Sequence, residues 1–370
     1  MTSGWFRSRY CDLTRHPPES HILLDVGGVH IMNMDFLIMA PVGLLPVLMF
    51  LVALLYLDSY KLVRLKSVLW VILAGGMSAV ACYFLNGFLL LHLRLDFLSL
   101  TRYVSPLTEE ALKALVIVYL FRSHRIGFLV DGAIMGFAVG AGFAVVENFY
   151  YLYSGGQAQL GVWIVRGFGT AIMHGGVTAI FAIVSQTLTE RSMKINPLRF
   201  LPGLAAAVAL HSLFNHFVLP PMLMTATVLA LLPPVLYVVF RKSAEHMHKW
   251  LELDFDADTL LLRQINSGEF AETKIGVFLN DLRTRFEGPV VVDMLCYLRL
   301  YTELALRAKG LLLMRENGIE VTVGERTQEK FAELEYLEGS IGKTGLLAMR
   351  PFLHMTRKDL WQLYMLDSQA

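Results

Sequence analysis

Long apolar segments alternate with short polar segments over the first two thirds of the chain. A helix needs about 20 apolar residues to cross roughly 30 Å of hydrocarbon. Seven segments approach that length, over residues 36–57, 68–91, 106–121, 128–152, 167–188, 198–219 and 222–240. The pattern therefore predicts an all-α fold, a polytopic transmembrane helix bundle of about seven spans.

Beyond residue 241 the chain changes character. Apolar residues recur there at helical spacing among many charged ones, which predicts helices over 258–270, 273–286, 290–317 and 327–337. Asn317-Gly318 is a typical helix end. We expect three parts: an N-terminal tail (1–34), a transmembrane domain (35–241) and a soluble, cytoplasmic helical domain (242–370). The tail lacks the early apolar run of a secretory signal, and a translation start at Met32 or Met34 is a hypothesis.

The basic residues between the spans predict the orientation, since Lys and Arg near span ends stay cytoplasmic. They follow the first, third, fifth and seventh spans, at Lys61, Arg64, Lys66, Arg122, Arg125, Arg191, Lys194, Arg199, Arg241 and Lys242. The N-terminus is therefore expected outside and the C-terminus inside. We begin the fifth span at Gly167, which places Arg166 at the outer interface, because a lone arginine in lipid is costly.

Composition excludes several classes of function. With 55% hydrophobic and 17% charged residues and a mean hydropathy of +0.53, the chain is too apolar for an ordinary soluble enzyme. A net charge of +1 gives no electrostatic drive toward nucleic acid. The three cysteines form no CxxC pattern, so neither a disulfide framework nor a thiolate zinc site is indicated.

Placing an ionisable residue inside a membrane span costs free energy, so each such residue requires a structural or functional explanation. They are Glu109, Glu110 and Lys113 in the third span, Glu147 in the fourth, His174 in the fifth, and His211 with the amide Asn215 in the sixth. At 1.5 Å per residue these groups fall at one level, in the outer half of the bilayer. Carboxylates clustered in a low dielectric cannot all ionise, so we expect a shared proton or a bridging cation, as general acid–base work on water requires.

Structural interpretations compete with the chemical one. Glu109 and Glu110 begin a helix and can each pair with Lys113, three or four residues on. Taken alone, His211 is as consistent with a structural histidine of the core as with a catalytic one. Together with Asn215 one turn later, it could donate hydrogen bonds to an oxyanion. Asp131 is expected to be solvated at the interface or paired with Arg125. The glycines of the fourth and fifth spans indicate close helix packing and carry no chemistry.

The order of these residues resembles a known family. Residues 109–113 match EExxK, residues 143–147 match FxxxE, His174 lies in the next span, and residues 211–215 match HxxxN. The set resembles the PrsW glutamic intramembrane proteases, which are related to the CAAX-prenyl endopeptidases. The resemblance covers roughly residues 101–219. The second motif ends in Glu147, where the CAAX relatives have histidine, and this favours PrsW over prenyl-protein processing.

The resemblance implies an activity and its partners. It implies hydrolysis of a peptide bond in a membrane-anchored protein, such as an anti-sigma factor, near the outer face of a bacterial inner (plasma) membrane. No metal or other cofactor and no nucleic acid are implied. The cytoplasmic domain binding a regulator is a hypothesis.

The resemblance also implies roles for the site residues. Glu109 or Glu110 with Glu147 or His174 would activate water, and which glutamate is the base stays open. His211 and Asn215 would hold the oxyanion, with Lys113 and Phe143 in support.

Two other functions stay open at this point. A proton- or ion-coupled transporter also uses buried Glu, His and Lys, but no internal repeat or pair of broken helices is visible. A zinc or di-metal enzyme could use the same residues, but the chain has no HExxH motif. Transport by proteoliposomes would favour the first, and activity lost to a chelator would favour the second.

Overall fold

A computed structural model describes residues 34–58, 60–61, 63–154, 159–190, 196–267, 269–319 and 326–350, together with residues 353, 361 and 366. This part of the chain is helical and contains no strand, which confirms the predicted all-α class. The predicted tail and the hypothetical start sites fall outside it, except for Met34 at the start of the first helix.

Seven long helices form the first part of the structure. They are α1 (Met34–Leu57), α2 (Leu65–His92), α3 (Ser105–Arg122), α4 (Leu129–Tyr153), α5 (Leu160–Thr189), α6 (Leu201–Asn215) and α7 (Pro221–Ser267). A π-helical turn, Leu100–Val104, leads into α3, a second one, Val165–Thr170, lies inside α5, and a 3₁₀ turn, Pro197–Phe200, precedes α6. Each predicted span coincides with one of these helices, because apolar length is a strong local signal, but α5 begins earlier and α7 ends later than predicted.

Six helices of the described chain are long and apolar enough to cross a membrane, and α3 is not among them. Its charged residues lower its hydropathy, but α3 lies beside α6 along its whole length. At one end Asn215 Nδ2 donates to the Thr101 carbonyl (2.9 Å). At the other end the rings of Phe121 and Phe200 are 5.4 Å apart. We call the first of these the Asn215 end of the bundle. The opposite end, where α3 stops and Phe128 leads into α4, is called the Phe128 end.

The fifth span differs from the prediction. Helix α5 begins at Leu160, so Arg166 lies within the helix and not before its start. Its side chain is only 16% exposed and is paired with Glu147. The predicted start at Gly167 was wrong because it gave the arginine no partner inside the protein, and an ion pair removes the reason for keeping Arg166 out of the helix. The position of Arg166 at the outer interface stays a prediction.

Helix α4 is the centre of the bundle, and glycines set its distance from its neighbours. A Cβ on Gly140 would lie 2.2 Å from the His174 carbonyl oxygen, and one on Gly142 would lie 2.0 Å from the Ile72 carbonyl oxygen. Such contacts are impossible for any larger residue. Small residues therefore bring α4 against α5 and α2 backbone to backbone, as the sequence indicated.

The chain beyond α7 forms a second hydrophobic core. It consists of α8 (Lys274–Leu282), α9 (Gly288–Glu316) and α10 (Arg326–Met349), which pack with the second half of α7. Helix α9 ends at Glu316 and Gly318 has φ +74°, the stop that Asn317-Gly318 predicted. Helix α7 runs through residue 241 without interruption, so the domain boundary placed there stays a prediction.

Two residues of the bundle belong to this second core. Phe128, before α4, packs its ring against Trp250 (5.5 Å) and Trp361 (5.0 Å). Tyr60, after α1, is buried beside Glu316, and its burial raises the pKa of the phenol above the usual range. The carboxyl-terminal helices are therefore packed onto the Phe128 end of the bundle.

Candidate active site

Four helices bring the predicted ionisable residues together near the Asn215 end. Helix α3 supplies Glu109, Glu110 and Lys113, α4 supplies Glu147, α5 supplies His174 and α6 supplies His211. Hydrogen bonds or ion-pair contacts connect side chains from all four helices to one another. The convergence predicted from helix rise alone is therefore present, and we call these six residues the polar cluster.

Lys113 lies at the middle of the polar cluster and is fully buried. Its Nζ is 2.5 Å from Glu110 Oε1 and 3.1 Å from His174 Nδ1, and it lies 4.6 Å from the centroid of the Phe143 ring. The sequence allowed either glutamate to pair with Lys113, and the structure selects Glu110, three residues before it. A carboxylate, an imidazole and a ring face together satisfy the buried ammonium.

His174 is hydrogen-bonded through both ring nitrogens. An ammonium can only donate, so the bond from Lys113 requires an unprotonated Nδ1. The proton of the neutral ring then lies on Nε2, which donates to Glu147 Oε2 at 3.0 Å. His174 is buried and therefore has a defined tautomer, fixed by a cation on one side and a carboxylate on the other.

His211 faces both glutamates of α3. Its Nδ1 is 2.8 Å from Glu110 Oε1, and its Nε2 is 3.8 Å from Glu109 Oε2. A carboxylate accepts, so Nδ1 carries hydrogen and donates to Glu110. The ring of His174 lies edge-on to it, with centroids 4.8 Å apart. Glu110 thus accepts from Lys113 and His211 on one oxygen, while Thr178 Oγ1 lies 3.4 Å from the other.

Glu109 differs from the other two glutamates. Its side chain is 15% exposed, and no hydrogen bond from the described part of the chain reaches it. Glu110 and Glu147, in contrast, are each held by a cation and a histidine. Glu109 is therefore the carboxylate of the polar cluster that has both oxygens available for another molecule.

Asn215 lies one turn beyond His211, as its spacing requires, but its amide is used elsewhere. Nδ2 donates to the Thr101 carbonyl (2.9 Å), and Ser212 Oγ donates to the Arg102 carbonyl (2.6 Å). Both acceptors belong to the π-helical turn before α3. In this arrangement Asn215 ties α6 to α3, and its assignment to an oxyanion site stays a prediction.

A family comparison gives this geometry a context. Residues 64–241 match the model of a family described as "PrsW family intramembrane metalloprotease". This segment of the chain belongs to the PrsW family. The matched segment contains the whole polar cluster and excludes α1 and the helices beyond α7. Membership makes the protein an integral membrane protein and an intramembrane protease, as the EExxK, FxxxE and HxxxN motifs predicted. No curated protein and no solved structure matches the chain.

The description of the PrsW family includes a metal ion, and three residues of the polar cluster are of types that bind metals. Glu109, His174 and His211 offer one ligand atom each, all within 4.8 Å of one another. Ligands of a tetrahedral zinc ion, at about 2.1 Å from it, lie roughly 3.4 Å apart. His174 would also have to give up Lys113 or Glu147, and a divalent ion would lie close to the Lys113 ammonium. As arranged here, the residues do not fit a metal.

Sequence reasoning missed several polar residues around the PrsW site. Thr178 faces Glu110, and Arg166 and Asn148 lie next to Glu147. Arg166 carried a usable signal: an arginine in an apolar helix needs an acidic partner, and Glu147 ends the preceding span. Asp131 was also misread, since it is fully buried and accepts from the backbone N–H groups of Gly127 (2.9 Å) and Phe128 (3.0 Å).

Proposed function

We propose that the protein is an endopeptidase that hydrolyses a peptide bond of a membrane-anchored protein, with Glu109 as the general base and without a metal. The supporting observation is the free carboxylate of Glu109, which faces His211 Nε2 across 3.8 Å. A water molecule about 2.8 Å from each atom fits that gap. Glu109 then takes a proton from this water as the water attacks the substrate carbonyl, and it returns that proton to the amine nitrogen as the C–N bond breaks.

The other charges of the polar cluster support this division of roles. Glu109, Glu110 and Glu147 carry three negative charges, and Lys113 and Arg166 carry two positive ones. A buried cluster is most stable when it is neutral, which one further proton achieves, and the proposed mechanism has this proton on His211 rather than on Glu109. His211 then donates from Nδ1 to Glu110 and presents Nε2–H to the developing oxyanion. Asn215 would join it by leaving Thr101 when a substrate binds.

The substrate and the orientation are part of the same proposal. A membrane-anchored protein, such as an anti-sigma factor, would enter from the bilayer of a bacterial inner (plasma) membrane and be cut near its outer face. The loop charges put the N-terminus outside and the C-terminus in the cytoplasm. The carboxyl-terminal helices, packed on the Phe128 end, would then face the cytoplasm, where a regulator could bind them.

The test is cleavage of a library of membrane-tethered peptides by the full-length protein in liposomes, with and without a chelator. We expect cleavage that resists the chelator and falls by 10²-fold or more in Glu109→Gln, as for loss of a general base. Asp131→Asn is the matched control, because it neutralises a buried carboxylate of the same bundle outside the polar cluster. Full activity of Glu109→Gln would contradict the assignment.

The metal alternative has its own observation, the family description together with the approach of Glu109, His174 and His211. Activity lost to the chelator and restored by zinc, with one metal ion bound per chain, would establish it against the proposal. No cleavage by the wild type, with proton uptake into the liposomes, would instead support the transporter.

A further inference from the structure

A second polar network continues from Glu147 away from the polar cluster. Arg166 Nη2 lies 3.2 Å from Glu147 Oε1, at ion-pair distance, while Arg166 Nε donates to Asn148 Oδ1 at 3.0 Å. Asn148 Nδ2 then donates to the Gly43 carbonyl of α1 at 2.7 Å. The guanidinium also lies 3.8 Å from the centroid of the Tyr151 ring. Apart from Glu147, these groups lie outside the motifs of the family.

The shape of arginine suits this position. Nε–H and Nη2 lie on one edge of the planar guanidinium, so one side chain faces Asn148 and Glu147 at once, and a lysine would supply only a point charge. The π-helical turn Val165–Thr170 contributes as well. Eight residues of α-helix make about 2.2 turns, and the wider turn brings Arg166 back toward the face that carries His174.

The two oxygens of Glu147 have different partners. Oε1 lies beside Arg166, and Oε2 accepts from His174 Nε2–H. A carboxylate held in charged form by Arg166 can only accept, so it keeps the histidine proton on Nε2. Nδ1 is then free to accept from Lys113. We propose that Arg166 is a positioning residue that, through Glu147, holds His174 in the Nε2–H tautomer and so keeps Lys113 between Glu110 and His174.

Helix α1 anchors this network from outside the matched segment. A Cβ on Gly167 would lie 1.9 Å from the Val42 carbonyl oxygen, and one on Gly43 would lie 2.7 Å from the Trp163 ring. The backbones of α1 and α5 therefore touch where Asn148 reaches Gly43. This contact limits the movement of Asn148, and Asn148 limits the movement of the guanidinium.

The tautomer can be measured without any substrate. Full-length protein labelled with ¹⁵N-histidine in lipid nanodiscs gives ring nitrogen shifts that distinguish the two tautomers, and a His174→Gln sample identifies the signals of His174. We expect wild-type His174 to have a protonated Nε2 and an unprotonated Nδ1. A protonated Nδ1 with a bare Nε2 in the wild type would overturn the proposal, whatever the variants do.

Variants then test the part played by Arg166. Arg166→Gln should shift His174 to a mixture of tautomers, whereas Arg166→Lys, which keeps the charge, should largely retain Nε2–H. Arg102→Gln is the matched control, an arginine at the same end outside the network, and should leave the signals unchanged. Unaltered signals in Arg166→Gln would refute the positioning role. If that variant does not fold, the wild-type tautomer decides the question.

The catalytic consequence rests on the proposed function. In the cleavage assay, Arg166→Gln should lower kcat on the order of 100-fold, as for a displaced catalytic group, with KM nearly unchanged and partial recovery in Arg166→Lys. An equal loss in Arg102→Gln would mean a structural role only. The two failures are distinguishable: an inactive wild type with the expected tautomer removes the proposed function and leaves the network intact.

Discussion

Within the part of the chain that the structure describes, two lysines are almost completely buried, one in the membrane bundle and one in the carboxyl-terminal helices. Lys113 in the membrane bundle contacts a carboxylate, a histidine and the Phe143 ring. Lys309 in the carboxyl-terminal helices contacts Asp258 (2.7 Å), Asp254 (3.9 Å) and the Trp250 ring (5.3 Å). Both solve the same problem, the burial of an ammonium group, with acids and an aromatic ring.

The difference lies in where the partners come from. The three partners of Lys309 are four residues apart along α7, and both carboxylates are partly exposed. One side chain from α9 therefore fastens two helices together. The partners of Lys113 come from α3, α4 and α5, and through them it reaches His211 and Glu147. Lys309, whose partners lie on one helix, only needs to stabilise the packing of α9 against α7. Lys113 connects side chains of four helices and so holds carboxylates and imidazoles at fixed distances, as acid–base catalysis requires.

The largest expected effect is on catalysis at Lys113. Lys113→Met should lower cleavage at least 100-fold, a loss typical of removing a group that orders a catalytic acid–base pair, because Glu110 and His174 lose the cation that joins them. The measurement is cleavage of the tethered peptide in liposomes, with thermal unfolding of the same sample. Cleavage within a few-fold of the wild type would show that Lys113 is structural, like Lys309.

The next effect is on the packing of α4 against α5. Gly140→Ala places a Cβ 2.2 Å from the His174 carbonyl oxygen, so the helices must separate, and we expect a loss of about 3 kcal/mol in the free energy of unfolding. Separation should also lengthen the contact between His174 and Glu147. Steric trapping or denaturant titration in detergent measures the loss.

Its matched control is Gly310 in α9, where a Cβ would meet nothing within 4 Å. Gly310→Ala should stabilise the protein by roughly 0.5–1 kcal/mol through helix propensity. Equal effects of the two substitutions would mean that backbone contact between α4 and α5 does not hold the bundle together.

A smaller effect is expected at Lys309. Lys309→Met should destabilise the carboxyl-terminal helices by about 2 kcal/mol, the range for hydrogen bonds to charged groups, since Asp254 and Asp258 can recover part of their solvation. Cleavage should change less than twofold. A large loss of cleavage in a folded Lys309→Met variant would contradict the purely structural role of Lys309 that distinguishes it from Lys113.

The smallest effect concerns pH. Tyr297 is buried with its hydroxyl 2.8 Å from Glu338, and burial followed by the nearby carboxylate raises the pKa of the phenol well above its usual value. The folded state then keeps a proton that the unfolded state loses above about pH 10. Tyr297 should make the free energy of unfolding fall by about 1 kcal/mol per pH unit there. Tyr297→Phe should remove this contribution in denaturant titrations and leave that of Tyr60.

Much of this structure could be predicted from the sequence. Apolar length predicted the bundle helices, and helical periodicity predicted the carboxyl-terminal ones, because both signals are local. The EExxK spacing and the helix rise predicted that carboxylates and histidines would meet at one level. Family membership, which the motifs predicted, rests on the match of residues 64–241 to the family model.

Other features could not be predicted because they depend on how each helix is rotated about its axis. An almost uniformly apolar helix gives no signal for its inward face. The sequence therefore gave Arg166 no partner, left Asp131 solvated or paired with Arg125, and did not choose between Glu109 and Glu110 as the partner of Lys113. The π-helical turns, which change the rotation of α5 and of the segment before α3, have no clear sequence signature.

By itself, the sequence predicted which segments form the helices of the bundle and which ionisable residues share one level, since these follow from hydrophobicity and helix geometry, but it gave neither the start of α5 nor the end of α7. Only the tertiary structure decided that Glu110 is held by Lys113 and His211 while Glu109 is free, and that Arg166 joins Glu147. Those choices depend on electrostatic contacts between helices, and such contacts exist only after the glycines of α4 have let the backbones meet.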